Sequence, residues 1–173
     1  LLSRVGVRRA QTANLRVFLA LRFAYAIFWN VVYTIKSGLG YTGDWHFLIG
    51  GLDPANVWHI ALTVTGVALY IVAMRTLAHM WPTGEGLSSA RFAVIAYLSA
   101  AALSAAAGYF DLRGPQTVLT DALPSSLAAI GLPLIGIRRA DQVRVQPSAV
   151  WLAGGLIAAG FFVFILGPGI RPG

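Results

Sequence analysis

Long apolar stretches, each bounded by charged, turn-forming or proline residues, fill most of this 173-residue chain. A helix of about 20 apolar residues is long enough to cross the hydrocarbon core of a bilayer. The pattern predicts five spans, over residues 17–35, 57–74, 92–108, 117–137 and 149–166. Because a helix satisfies its own backbone hydrogen bonds in lipid, the predicted fold class is all-α, a polytopic transmembrane helical bundle.

Glycines punctuate the connector between the first two spans, residues 37–56. Inside it, Trp45–Ile49 is apolar but too short to cross a bilayer, and it predicts a re-entrant or interfacial segment. The run from Asp53 to Asn56 predicts an N-terminal cap for the second span.

The later spans differ in the bulk of their side chains. After Tyr97 the third span is almost entirely alanine and serine, which predicts a central helix, because small residues let helix backbones approach closely. Pro124 and Pro133 interrupt the fourth span, which should kink and pack against protein groups that satisfy the freed carbonyls. The residues predicted to pack helices together are Ser99, Ser104, Gly108, Gly154, Gly155 and Gly160.

Composition agrees with a lipid environment. Apolar residues make up 57% of the chain and charged residues 11%, whereas a soluble domain carries about 25% charged residues. The length suits one domain, predicted over residues 17–167, with a basic N-terminal segment over 1–16 and a short tail over 168–173. The absence of cysteine excludes disulfides and thiol chemistry.

The basic residues indicate how the chain is oriented. With five spans, ten of the 13 lysines and arginines fall on one side of the membrane, a clear positive-inside bias. We therefore expect a multi-pass protein of a bacterial inner membrane with a cytoplasmic N-terminus. Its expected partners are the lipid bilayer and other membrane subunits, and not nucleic acid, since no nucleic-acid-binding motif accompanies the charge. The basic segment itself suits either a helix on the membrane surface or a solvated tail.

Three histidines raise the question of a metal or pigment. His59 and His79 lie about 30 Å apart along one predicted helix, so they cannot share a metal ion. His46 could approach His59 with Asp44 or Asp53 beside them, and two histidines with a carboxylate can bind zinc or iron. The spacing does not require a metal, so no metal site is predicted. His59 is a candidate ligand of a tetrapyrrole, and an ordinary interfacial histidine is the alternative.

Two other polar features have two interpretations each. Asp44, Trp45 and His46 form either a functional loop or an aromatic anchor at the level of the lipid head groups. Asp121 is the one carboxylate predicted inside a span. It is either a functional intramembrane acid, with Arg113 as its partner, or an interfacial acid favoured by the helix dipole.

A series of short motifs runs through the first two spans and their connector, and one further motif lies in the fourth span. The motifs are Ser37-Gly38, Gly43-Asp44-Trp45, Leu52-Asp53-Pro54, Trp58, Gly66-x-x-Leu69-Tyr70 and Ala122-Leu123-Pro124-Ser125-Ser126. Over residues 17–137 this series resembles bacterial integral membrane proteins grouped with the site-two-protease-like metallopeptidases. Such proteins carry an H-E-x-x-H helix, which this sequence lacks. The resemblance therefore implies a non-catalytic part or relative, and it assigns no zinc ligand here.

No complete catalytic motif is present in the sequence. The predicted function is a non-catalytic accessory or scaffold subunit of a bacterial inner-membrane complex, with respiratory and photosynthetic assemblies among the options. One alternative is the non-catalytic C-terminal part of a membrane metallopeptidase-like protein. The other is a small transporter, which Asp121 and the two prolines of its span would serve.

Overall fold

The computed structural model describes residues 13–40, 43–145 and 148–166. Five helical segments in this part of the chain are long and apolar enough to cross a membrane: Ala13–Gly40, Ala55–Met80, Ser89–Tyr109, Val118–Ile137 and Ala149–Leu166. The all-α prediction and the five spans are confirmed. Residues 1–12 of the predicted basic segment and the predicted tail lie outside the described residues.

The described chain contains seven α-helices and two π-helical turns, and all of them except one short helix belong to the spans. The first two spans are α1 (Ala13–Gly40) and α3 (Ala55–Met80), with the short α2 (Asp44–Ile49) between them, and the third is α4 (Ser89–Tyr109). The fourth consists of a π-helical turn (Val118–Ala122), α5 (Leu123–Ala128) and α6 (Gly131–Ile137), and the fifth of α7 (Ala149–Phe161) and a π-helical turn (Phe162–Leu166).

The described residues form two compact units. The first unit covers residues 18–81, and the second covers residues 82–166 together with residues 13–17.

In the first unit, α1 and α3 pack through aromatic and small residues. Phe28 of α1 is fully buried, and its ring centroid lies 5.0 Å from that of Tyr70 on α3. Gly66 of α3 lies against Ile35 of α1, where a Cβ would come 2.6 Å from the Ile35 Cγ1 atom. Only glycine lets the two helices approach this closely at that level.

In the second unit, α4 is the central helix, because it contacts α5, α6 and both π-helical turns. Gly136 of α6 lies directly against Ala93 and the Ser89 carbonyl of α4. Two short strands, β1 (Leu87–Ser88) and β2 (Gln142–Val143), pair antiparallel just before α4 and just after α6. Within this unit α4 therefore contacts the largest number of elements, while 11% of its apolar window is buried.

The prolines interrupt the fourth span as predicted. Pro124 lies in the first turn of α5, Pro133 lies in the first turn of α6, and a turn at residues 129–130 separates the two helices. The Ser126 hydroxyl donates a hydrogen bond of 2.8 Å to the Ala122 carbonyl, so a side chain supplements the backbone bonds here. With 39% of its apolar window buried, this span is the most buried of the five.

The helix ends differ from the predicted span limits. α1 begins at Ala13 rather than residue 17 and continues to Gly40, past Lys36 and through glycines that were predicted to belong to the connector. Hydropathy marks the apolar part of a helix, whereas water and head groups also support the polar turns at its ends. α3 begins after Pro54 without any side-chain cap, so the predicted cap at Asp53–Asn56 is wrong.

Candidate functional site

Two histidines that are 13 positions apart in sequence meet in the first unit. His46 lies on α2 and His59 lies on the first turns of α3. The His46 Nδ1 atom is 3.4 Å from the His59 Nε2 atom, and the two ring centroids are 5.3 Å apart. The structure thus brings together the pair that the sequence suggested could meet.

The His59 ring is held on its other side by the end of α1. Its Nδ1 atom lies 3.2 Å from the Gly38 carbonyl oxygen. A carbonyl only accepts hydrogen bonds, so Nδ1 carries the proton and Nε2 presents a lone pair toward His46. The Thr63 hydroxyl donates to the His59 carbonyl over 2.9 Å, and the His59 residue is only 4% exposed. The ring is therefore fixed in both orientation and tautomer.

Gly38 is glycine because α1 and α3 touch at this point. A Cβ on Gly38 would lie 3.0 Å from both the His59 carbonyl oxygen and the Thr63 amide nitrogen, and closer still to the Thr63 hydroxyl. These are backbone atoms of a packed helix, which cannot move aside cheaply. The close approach places the Gly38 carbonyl within reach of the His59 ring.

A turn at Gly43 brings α2 back over the end of α1. Gly43 has a φ of 85°, a conformation that favours glycine. The Asp44 amide donates a hydrogen bond of 3.0 Å to the Tyr33 hydroxyl of α1. The Ser37 hydroxyl lies beside the same glycine, is buried, and has no hydrogen-bond partner among the described residues. We call the polar residues at this end of the first unit the histidine cluster: Tyr33, Ser37, Gly38, His46, His59 and Thr63.

The three residues of the predicted functional loop have different surroundings in the structure. Asp44 and Trp45 are exposed and only their neighbour His46 turns toward α3. No described group of three histidine or acidic side chains forms a metal site, so neither Asp44 nor Asp53 joins the pair. The assignment of His59 as a tetrapyrrole ligand stays a prediction.

A second polar group, the arginine cluster, consists of Asp111 and Arg113 in the connector after α4 and Asp121 in the first turn of the fourth span. The Arg113 guanidinium donates two hydrogen bonds of 3.0 Å to Asp111 and forms an ion pair of 2.7 Å with Asp121. The partner expected for Asp121 is therefore the one observed. The three side chains line a cavity of about 200 Å³ together with Ser104, Thr117 and Ser125.

Protonation of the arginine cluster follows from these contacts. Hydrogen bonds from the Arg113 side chain and backbone hold the pKa of Asp111 below its ordinary value of 3.8. The Asp111 and Asp121 carboxylates accept hydrogen bonds from the Arg113 side chain, and these bonds raise the pKa of Arg113 above its ordinary value. The Arg113 side chain is 66% exposed and that of Asp121 49% exposed, so water solvates the ion pair. The cluster carries one net negative charge. Its ion pairs join the two ends of the connector, because Arg113 contacts both Asp111 and Asp121.

The residues predicted to pack helices have different surroundings. A Cβ on Gly108 would lie 3.2 Å from the Ala122 Cβ, so this glycine does pack against the fourth span. Ser104 is half-buried, and Ser99 is exposed. A Cβ on any of Gly154, Gly155 and Gly160 would meet no other part of the described chain within 4 Å. For these three glycines, a role in helix packing stays a prediction.

Sequence reasoning missed most of the histidine cluster. Tyr33, Ser37 and Thr63 were assigned no role, although a hydroxyl near the end of an apolar helix is a signal that a polar neighbour is close by. Their importance depends on the return of α2 over α1, which the glycine-rich connector permits but does not specify. No family model, curated protein or solved structure matches this chain.

Proposed function

We propose that this chain is a non-catalytic accessory subunit of a bacterial inner-membrane complex and that its fifth span joins it to that complex. One observation carries the proposal: the fifth span is the most apolar and the least buried, with a mean hydropathy of 2.3 and 6% of its window buried. Its glycines face no other described part of the chain.

Glycines in a helix need a reason, because each costs about 1 kcal/mol relative to alanine in a helix interior. At Gly66 and Gly136 the reason lies within the chain, since a Cβ would collide with the neighbouring helix. At Gly154 and Gly155 no neighbour in the described chain supplies it. Small-residue faces in membranes commonly receive a second helix at close range. A helix from another subunit is therefore the occupant that this face supports.

The orientation is part of the same proposal. The positive-inside bias supports a cytoplasmic N-terminus and a cytoplasmic connector before α7. Reporter fusions after Ser148 and after Gly173 test it: the first should report the cytoplasm and the second the opposite compartment. Fusions that place both residues in the same compartment would contradict the five-span topology.

The association is tested by native electrophoresis of membranes dissolved in a mild detergent. The wild-type chain should migrate within a particle larger than the monomer, at a reproducible ratio to its partner. A variant with Gly154, Gly155 and Gly160 all replaced by leucine should migrate as the free chain. A Cβ at any of these three positions meets no other described part of the monomer, so its helix content should be unchanged.

The matched control places the same bulk on another exposed surface. Ala68 is an exposed small residue of α3, and Ala68→Leu should leave the particle intact. Migration of the wild-type chain as a monomer would contradict the proposal, and so would equal release by Ala68→Leu.

The alternatives have less support. The metallopeptidase interpretation needs an H-E-x-x-H helix from outside this sequence. The transporter interpretation relied on Asp121, whose charge is offset by Arg113 at the end of its span. Unchanged growth or transport with Asp121→Asn would remove its remaining basis.

A further inference from the structure

We propose that His46 and His59 together bind one divalent first-row transition-metal ion of the zinc type, held between α2 and the start of α3. This site is independent of the accessory role, because it lies in the first unit and uses no residue of the fifth span.

The separation of the two nitrogens fits a metal between them. His46 Nδ1 and His59 Nε2 are 3.4 Å apart. In a tetrahedral zinc site with Zn–N bonds of about 2.0–2.1 Å, two ligand nitrogens lie about 3.3–3.4 Å apart. A strong hydrogen bond from N–H brings the heavy atoms to about 2.9–3.0 Å. The observed distance is therefore long for a direct hydrogen bond and matches two ligands of one ion.

The directions of the two rings agree with the same arrangement. Their centroids lie 5.3 Å apart. Two imidazoles that point at one tetrahedral zinc ion would have centroids about 5.2 Å apart. A straight N–H···N bond at the observed nitrogen separation would place the centroids about 5.7 Å apart. The observed centroid separation is therefore closer to that of two ligands of one ion than to that of a straight N–H···N bond.

The surroundings of His59 are those of a preorganised ligand. Its Nδ1–H donates to the Gly38 carbonyl, which leaves the Nε2 lone pair directed at His46. Metal-binding histidines usually donate their second N–H to a carboxylate or a backbone carbonyl, which fixes the ring and raises its basicity. Burial of His59 and the hydrogen bond from its Nδ1 atom to the Gly38 carbonyl keep the ring in that position.

Protons balance without any additional group. A metal can bind His46 through Nδ1 only when that nitrogen carries no proton. When a metal binds both nitrogens, the His46 proton is carried on Nε2 instead, so each ring stays neutral and the ion keeps its charge. Water fills the remaining coordination positions. The buried Ser37 hydroxyl, adjacent in sequence to the Gly38 carbonyl, is an unused hydrogen-bonding group in the same cluster.

Ligand type identifies the class of metal. Imidazole nitrogens suit Zn²⁺, Ni²⁺ and Cu²⁺, whereas Mg²⁺ and Ca²⁺ require several oxygen ligands. Asp44 and Asp53, the nearest acidic residues in sequence, do not complete a described cluster with the two histidines. A site with two protein ligands should bind more weakly than a closed structural site of four.

The experiment is a titration of the full chain in detergent, stripped of metal, with ZnCl₂ followed by calorimetry. We expect one ion per chain, and we expect His46→Ala to weaken the affinity at least about 100-fold, as loss of one of two protein ligands should. His79→Ala is the matched control, because the His79 ring bonds the Arg75 carbonyl of its own helix at the other end of α3. It should leave zinc affinity unchanged.

A second measurement needs no variant. Zinc should protect His46, but not His79, of the wild-type chain from carbethoxylation by diethyl pyrocarbonate, as read by mass spectrometry of peptides. Equal modification of His46 with and without zinc would overturn the proposal. So would wild-type affinity in His46→Ala, or an equal loss in His79→Ala.

Discussion

The histidine cluster and the arginine cluster both gather polar side chains where membrane helices end, but they do so in opposite ways. The histidine cluster joins imidazole rings, hydroxyls and a backbone carbonyl from three helices, and its central residue, His59, is 4% exposed. The arginine cluster joins full charges across one connector, with the guanidinium 66% exposed. The centre of the histidine cluster is therefore buried, whereas the ion pairs of the arginine cluster are exposed to solvent.

Burial accounts for the different roles that we assign to them. A buried donor or acceptor that loses its partner costs about 1–3 kcal/mol, so neutral groups must match one another closely. Exposed charges are screened by water, and their pairing contributes little. We therefore expect the histidine cluster to hold its side chains in a precise geometry. We expect the arginine cluster only to hold the two ends of the connector together.

The largest effect is expected from removing the central ring of the histidine cluster. His59→Ala leaves the Gly38 carbonyl and the His46 ring without their partner and opens a cavity, so we expect the free energy of unfolding to fall by about 3 kcal/mol. Unfolding in mixed detergent micelles measures it. His79→Ala, at the exposed end of α3, should change the value by less than about 0.5 kcal/mol. Equal losses of unfolding free energy in His59→Ala and His79→Ala would show that the contacts of the buried His59 ring do not stabilise the fold more than those of an exposed histidine.

A smaller loss should follow when α1 and α3 are forced apart. The Cβ of Gly38→Ala meets backbone atoms of His59 and Thr63, and overpacking of this kind costs about 1–3 kcal/mol. Its gain in helix propensity offsets about 1 kcal/mol of that. Gly154→Ala is the control, since its Cβ meets nothing, and it should not destabilise the monomer. Zinc affinity should fall with Gly38→Ala and remain constant in the control.

Breaking the arginine cluster should have a smaller effect on global stability than either change above. Arg113→Gln removes the bonds to both Asp111 and Asp121, yet each carboxylate can be solvated by water instead. We expect faster proteolysis at residues 110–117 with an unchanged unfolding transition of the whole chain. A loss as large as that of His59→Ala would contradict the distinction between the two clusters.

The smallest effect concerns pH. The folded-state pKa of Asp111 lies below its ordinary 3.8, so its bond to Arg113 is fully stabilising above 3.8 and is lost only as pH falls through the lower folded value. No pH dependence from this pair is expected between about pH 5 and 8. Carboxyl-carbon NMR of Asp111 should show a midpoint below 3.8, and Arg113→Gln should return it toward that value. An unchanged midpoint in Arg113→Gln would exclude Arg113 as the cause.

Much of the fold followed from hydropathy, because a run of apolar residues of membrane length has few other stable arrangements in lipid. The prolines of the fourth span indicated its interruption for an equally local reason, the missing amide of each ring. The ends of α1 and α3 did not follow, since polar terminal turns are stabilised by solvent and by α2 rather than by their own sequence.

The chain's pattern alone determined the number of spans, the small-residue faces and the pairing of Asp121 with the nearest arginine, because each depends on neighbours in sequence. Tertiary structure alone decided which histidine nitrogens face one another, which glycines are enclosed and which stay open. Those outcomes depend on how α2 returns over α1 and how closely the helices approach one another. Both are properties of packing between segments that are distant in sequence. Small changes in the distance between such segments decide whether two side chains form a hydrogen bond and whether a glycine is enclosed or open.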